Sequence, residues 1–175
     1  MQLKGSCHCG AVKFSLQSDS PVPFMHCYCS ICRKTAGSGG YAINLGGDAS
    51  TMKVTGMKNV TRFHALIREK DALIRDKDAP IREKGKRATR SPAWRHFCKK
   101  CGSPLWLWDR RWPELIHPHA SAIDTPLPKP PEVVEAALAY AANWVDVPKG
   151  KKHVHCREWP EESLREWHEP HEVLA

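Results

Sequence analysis

Nowhere does the chain hold an apolar run approaching the roughly 18 residues a helix needs to cross a bilayer, so no membrane span is expected. The opening residues, MQLKGSCHCG, contain no apolar stretch either. They do not read as a signal peptide, and a cytoplasmic location is the expectation. Blocks of like charge are also missing. The net charge is +8, and residues 62 to 90 supply +5 of it, with ten Lys or Arg set against five Asp or Glu. Because many of those charges alternate in sign, they read as a solvated face and argue against nucleic acid as a partner. A small anionic substrate is compatible with the basic balance. With 41% hydrophobic and 26% charged residues, the composition is that of a globular chain rather than a disordered one. A length of 175 residues suits a single domain, 1–175, large enough for a real core.

Local patterns predict strands more than helices. Val12, Phe14 and Leu16 alternate with Lys13, Ser15 and Gln17, the period of a half-buried strand. Short strands are expected within residues 38–47 and 50–56, and again at SPLWLWD after Cys101. At 65–85 the sequence repeats with a period of seven: ALIREKD, ALIRDKD, APIREKG. Two copies and a degenerate third are too few for a solenoid or a coiled coil, so this reads as a charged surface insertion. Its first fourteen residues could form a helix with Leu66, Ile67, Leu73 and Ile74 on one side, ended by Pro80. A C-terminal extension, about 126–175, begins with the proline-rich PLPKPP, expected to be extended. Good helix formers over 132–143 predict a helix, and a second short helix should start near Pro160 and Glu161 and stop at Pro170.

Cysteine carries the chemistry. Eight are present, and seven fall in three clusters: Cys7-x-Cys9, Cys27-x-Cys29-x-x-Cys32 and Cys98-x-x-Cys101. A Cys-x-Cys pair is too close to close an easy disulfide on itself, and clustered cysteines without an export signal point to metal. A closed structural zinc takes four ligands in a tetrahedron, whereas a catalytic zinc keeps three and an open position. The clusters of two, three and two divide accordingly. Cys7 and Cys9 should face Cys98 and Cys101 across a structural zinc, and Cys27, Cys29 and Cys32 should form an open catalytic site. Gly10 and Gly102 each follow a cysteine, where a residue without Cβ lets the backbone turn tightly and its amides approach sulfur.

The segments GSCHCGAVKF, HCYCSICRK and FCKKCGSPL together resemble the glutathione-dependent formaldehyde-activating enzyme (GFA) family, which includes relatives of centromere protein V. The resemblance covers roughly residues 5 to 108 and is interrupted by the repeat. It implies a mainly β, Mss4-like zinc-binding fold with few short helices. It implies two zinc ions per chain, held by the same split of ligands. It also implies carbon–sulfur lyase activity, with glutathione or a similar small thiol and an aldehyde, formaldehyde, as partners through an S-(hydroxymethyl)glutathione-like adduct. The alternative is a non-enzymatic zinc module that binds nucleic acid or a protein.

Either the open zinc holds the substrate thiol as thiolate, or it polarises the carbonyl oxygen. Arg33 and Lys34, directly after the last ligand, are candidates to offset the thiolate charge or to meet glutathione carboxylates. His8 and His26 adjoin ligands but should point away, since neighbours of a ligand alternate in direction. His96 reads as a strand residue, and His117 and His119 as loop residues. His153 and His155 should share one strand face with Cys156 on the other, a lone cysteine left out of both sites. Most of the seven tryptophans should be core.

Overall fold

The computed structural model describes residues 1–67 and 89–171. The chain opens with a hairpin: β1 (Gln2–Ser6) runs antiparallel to β2 (Lys13–Gln17), with Gln2 opposite Gln17 and Ser6 opposite Lys13. The alternation expected of this segment holds, because Val12, Phe14 and Leu16 are buried while Lys13 and Gln17 face outward. The chain continues through β3 (Met25–Cys27), the short helix α1 (Ser30–Ala36), β4 (Ala42–Ile43) and β5 (Lys53–Thr55), which pairs with β2 to complete a three-stranded sheet. A second sheet is a meander of β6 (Val60–Ile67), β7 (Thr89–Cys98), β8 (Pro104–Trp108) and β9 (His117–Pro118), antiparallel throughout. The third has the order β11-β10-β3-β4, where β10 (Val133–Ala136) runs parallel to both β3 and β11 (His153–His155). Helix α2 (Leu164–His171) follows. With three sheets and two α-helices among the described residues, the architecture is mainly β, as expected.

The predicted helix over 132–143 is a strand instead, followed by a single 3-10 turn at Leu138–Tyr140. Helix propensity is a weak prior that tertiary partners override. Here Val133–Ala136 is claimed on both edges by β3 and β11, and Val134, Glu135 and Ala136 are all buried. Ala137 then adopts a left-handed conformation (φ 61°) that no helix could continue through. A second correction concerns the start of the repeat. Ala65 and Ile67 are buried and Leu66 is exposed, a period of two within β6 rather than a helical face. The rest of the repeat, and with it the remainder of that helix reading, lies outside the described residues. The tryptophans also depart from expectation. Trp106 and Trp167 are buried, but Trp112, Trp144 and Trp159 are exposed.

The main core lies between the first two sheets. Leu3, Phe14, Leu16, Leu45, Leu105 and Trp106 pack there, with Phe14 edge-on to Trp106 at 5.2 Å. Cys7 and Cys98 belong to the same core. A smaller cluster docks α2: Trp167 stacks on Phe24 at 3.7 Å, over Val22, Val134 and Ala136. The helix begins at Leu164, later than predicted. A reciprocal cap starts it, in which Ser163 N–H donates to Glu166 and the Glu166 N–H donates to Ser163 Oγ. Pro170 sits in its last turn.

His168 ties α2 to the core in one protonation state only. Buried Nε2 accepts the Val22 N–H at 3.1 Å, and Nδ1–H donates to the Leu164 carbonyl at 2.6 Å. A proton on Nε2 would set two donors against each other, and burial lowers the pKa from the ordinary 6.5. The unfolded chain therefore takes up the proton more readily than the folded one. This contribution to stability is full above pH 6.5 and is lost as pH falls through the lowered folded value. The denaturant midpoint should drop over that acid range, and Trp167 fluorescence should report the release of α2. His168→Leu should lower stability by about 1–3 kcal/mol, the cost of a buried N–H without an acceptor, and flatten this part of the pH profile.

Candidate metal centres

Two hairpin ends meet to build the first centre. Cys7 and Cys9 sit in the turn between β1 and β2, Cys98 ends β7, and Cys101 lies in the turn that leads to β8. Both turns close in the same way. Gly10 N–H donates to Cys7 O at 2.9 Å and Gly102 N–H to Cys98 O at 2.8 Å, each glycine with positive φ (70° and 74°). An L side chain rarely tolerates that conformation, which accounts for glycine at both positions. Amides then turn toward sulfur: the Val12 N–H reaches Cys7 Sγ at 3.2 Å. Ser103 links the turns, accepting the His8 N–H at 3.1 Å and lying 3.2 Å from Cys101 Sγ. Hydrogen bonds from the Ser103 hydroxyl and backbone pull the Cys101 thiol down to about 5.

All four sulfurs lie within 4.8 Å of one another, with Cys7–Cys9 at 3.6 Å and Cys9–Cys98 at 3.9 Å. Four sulfurs about 2.3 Å from one ion in a tetrahedron would be spaced by roughly 3.8 Å. The thiols are thus already at the spacing a zinc ion requires. They join residues far apart in sequence and belong to two different sheets.

The second centre is built where β3 ends. Cys27 is the last residue of β3, Cys29 caps α1, and Cys32 lies in that helix's first turn. The Cys29 sulfur serves as the cap, accepting the Cys32 N–H at 3.3 Å. All three thiols are buried and lie within 4.8 Å of one another. Their packing forces unequal ionisation. Hydrogen bonds with Cys29 and Cys32, and then burial, push Cys27 well up, while hydrogen bonds from Cys27 and Cys29, and then the Arg95 charge, hold Cys32 well below the ordinary thiol value. Three adjacent thiolates repel one another, and a divalent cation relieves that repulsion; the donor set is one that zinc accepts. No histidine or carboxylate joins either thiol group among the described residues.

The side chains around this second centre were not foreseen from sequence. Arg95, on β7, donates through Nη2 to Cys32 Sγ at 3.8 Å, and the Asn44 amide approaches the same sulfur at 3.9 Å. Burial, then Arg95, hold His119 down at about 4, so it stands neutral beside them. Of the two cations expected beside the last ligand, Lys34 lines a cleft together with Arg95, His96 and His119, whereas the guanidinium that donates to a thiol is Arg95's rather than Arg33's. That cleft holds about 210 Å³. A larger hollow of about 640 Å³, lined by Trp112, Leu115 and Leu164 among others, has no cysteine in its wall. The smaller cleft has no cysteine in its wall either, but Arg95, one of its lining residues, touches the Cys32 sulfur.

His26 points away from the sulfurs, as expected. Its Nδ1 lies 3.1 Å from Glu135, and its ring stacks on Tyr41 at 4.0 Å. The fully buried Glu135 also accepts from Tyr28 Oη at 2.8 Å and pairs with His153 Nδ1 at 2.8 Å. This carboxylate therefore clamps both neighbours of Cys27 to β10. The nearest sequence signal was a glutamate inside an apolar run, which the helix reading hid. His155 is exposed and bonds to Pro148 O, and Cys156 packs beside the α2 cluster, outside both centres.

Comparison with known proteins adds an independent line. Residues 2–70 match the family described as glutathione-dependent formaldehyde-activating enzyme. A protein of Halomonas elongata, provisionally named as an enzyme of that description, is 48% identical over 168 residues, covering 96% of this chain and 95% of its own length. A crystal structure of a Rhodobacter sphaeroides protein is 24% identical, with a TM-score of 0.48 over 70% of this chain and 89% of that one.

Proposed function

The chain belongs to the glutathione-dependent formaldehyde-activating enzyme family, and we propose that it joins a small thiol of the glutathione type to formaldehyde and cleaves the adduct again, as a zinc-dependent carbon–sulfur lyase. The observation that carries this reading is the three-thiol cluster. It is buried, it contains no fourth protein ligand among the described residues, and it lies beside a cleft walled by Arg95 and His119. Cys7, Cys9, Cys98 and Cys101 would hold a structural zinc; Cys27, Cys29 and Cys32 would hold the catalytic one.

A zinc ion bound by the three thiolates supplies a position that keeps an incoming thiol ionised near neutral pH and a Lewis acid for a carbonyl oxygen. The chain's own residues do the rest. β3 and the cap of α1 fix the three sulfurs relative to one another. Arg95 and Asn44, both directed at Cys32 Sγ, offset the negative charge that several thiolates concentrate there. The cleft beside Arg95, about 210 Å³, is large enough for the aldehyde. In the synthetic direction the sulfur lone pair forms a bond to the formaldehyde carbon, the carbonyl π pair moves to oxygen, and the thiol proton ends on that oxygen. Cleavage is the reverse, and no atom is oxidised or reduced.

Exchange between free formaldehyde and its glutathione adduct, followed by NMR at equilibrium, tests the reading. The zinc-loaded protein should accelerate exchange well above the uncatalysed rate, and exchange equal to that without protein would overturn it. The rival, a zinc module for nucleic acid or a protein partner, rests on the basic excess in residues 62–90, most of which lie outside the described residues. It gives no account of a buried arginine directed at the second thiol cluster.

A further inference from the structure

Few buried side-chain polar atoms lack a partner among the described residues, yet four of them belong to three residues that line one cleft: Arg95 Nε, Arg95 Nη1, His96 Nδ1 and His119 Nδ1. Arg95 is only 8% exposed and His119 only 2%. A buried guanidinium with two nitrogens unpaired is costly, and a single long contact to Cys32 Sγ at 3.8 Å uses just one corner of its donor fork. The remaining edge is planar and built for two parallel bonds to oxygen. Lys34 adds a second cation to the same wall, and no Asp or Glu lines it. The cleft therefore presents concentrated positive charge and unfilled donors, while Phe63, Phe97 and Pro104 supply apolar sides.

Building on the reaction proposed above, we infer that Arg95, seconded by His119, binds an anionic oxygen of the substrate within this cleft. Two sources share that chemistry. One is a carboxylate of the thiol, which the planar fork would grip while the sulfur lies at the three-thiol centre. The other is the oxygen on the reacting carbon, which becomes anionic as the C–S bond forms and would gain most in the transition state. Each source places Arg95 against the substrate, and each rests on the same observation: the guanidinium contacts Cys32 with Nη2, its Nε and Nη1 are buried without a partner, and the residue lines the cleft.

Calorimetric titration of the zinc-loaded protein with glutathione and with its glycine monoethyl ester, together with NMR exchange kinetics, separates the cases. Arg95→Met should retain both zinc ions. With a carboxylate source, glutathione affinity should fall about tenfold or more, the ester's affinity being unchanged where the glycine carboxylate is gripped and falling alike where the γ-glutamyl one is. With an oxygen source, both affinities should stay and kcat should fall about tenfold or more. If Arg95→Met sheds zinc, Arg95→Lys, which keeps the charge but not the fork, is measured in its place, with a loss of at least about fivefold expected in one of the same two quantities. Wild-type affinity and kcat in a variant that keeps its zinc would overturn the inference. Zinc loss from both variants would also overturn it, making Arg95 a counter-ion of the thiolates alone. No glutathione binding and no exchange in the wild type would instead sink the parent reading.

Discussion

Replacing Cys98 with serine should give a chain that holds no more than one zinc ion and shows no cooperative thermal transition. Cys98 is fully buried in the main core, and its sulfur lies 3.9 Å from Cys9 across the gap between two sheets. A zinc ion held by these four thiols would anchor the β1–β2 hairpin end to the β7–β8 one. A structural zinc of this kind contributes an apparent ~10–16 kcal/mol in small zinc domains. Whole domains retain only about 5–15 kcal/mol of net stability. Losing most of the metal term therefore exceeds what the core can offset. Stripping zinc with a strong chelator should do the same to the wild type, with restoration on adding zinc back. Acid should act in the same direction, because protons compete with the metal for thiolate. Metal analysis beside a circular-dichroism melt checks this. A cooperative melt within a few degrees of wild type, with one zinc missing, would remove the structural role from this cluster.

The opposite outcome is expected for Cys29→Ser. Serine is among the best helix N-caps, so the α1 start that Cys29 Sγ provides by accepting the Cys32 N–H should survive. What is lost is one of three thiolates. The variant should keep one zinc, melt cooperatively within several degrees of wild type, and lose formaldehyde–glutathione exchange by about a thousandfold or more, since the metal's contribution to catalysis amounts to several kcal/mol. The contrast between the two variants is the test of the division of labour, because a single mixed cluster would make both behave alike. Near-wild-type exchange in Cys29→Ser with only one zinc bound would exclude the three-thiol centre from catalysis.

The site was legible in sequence wherever its geometry is local. Cysteines two or three residues apart are held in reach of one ion by the turn itself, so Cys7-x-Cys9, Cys27-x-Cys29-x-x-Cys32 and Cys98-x-x-Cys101 could be read directly, as could the glycines at 10 and 102 that close two of the turns. The hairpin strand after Gly10 was legible for the same reason, since alternation of Val12, Phe14 and Leu16 is a short-range signal. The strand at Val133–Ala136 was not. Its helix-forming alanines were overruled by hydrogen bonds to β3 and β11, whose partners lie elsewhere in the chain.

The amino-acid sequence alone thus determined the number and grouping of the thiols, and hence the capacity for two metal ions. The cluster sizes also led to the expectation that Cys7 and Cys9 face Cys98 and Cys101, whose sulfurs do converge, but only the tertiary structure decided which other residues stand near the three-thiol cluster: Arg95 from β7 and Asn44 after β4 at the Cys32 sulfur, His119 after β9 in the cleft that Arg95 lines, and Glu135 from β10 behind the neighbours of Cys27. Spacing constrains what a few bonds can bring together. The charge beside Cys32 comes from a strand more than sixty residues away, and nothing but the packing of the sheets brings Arg95 and Asn44 to the same sulfur.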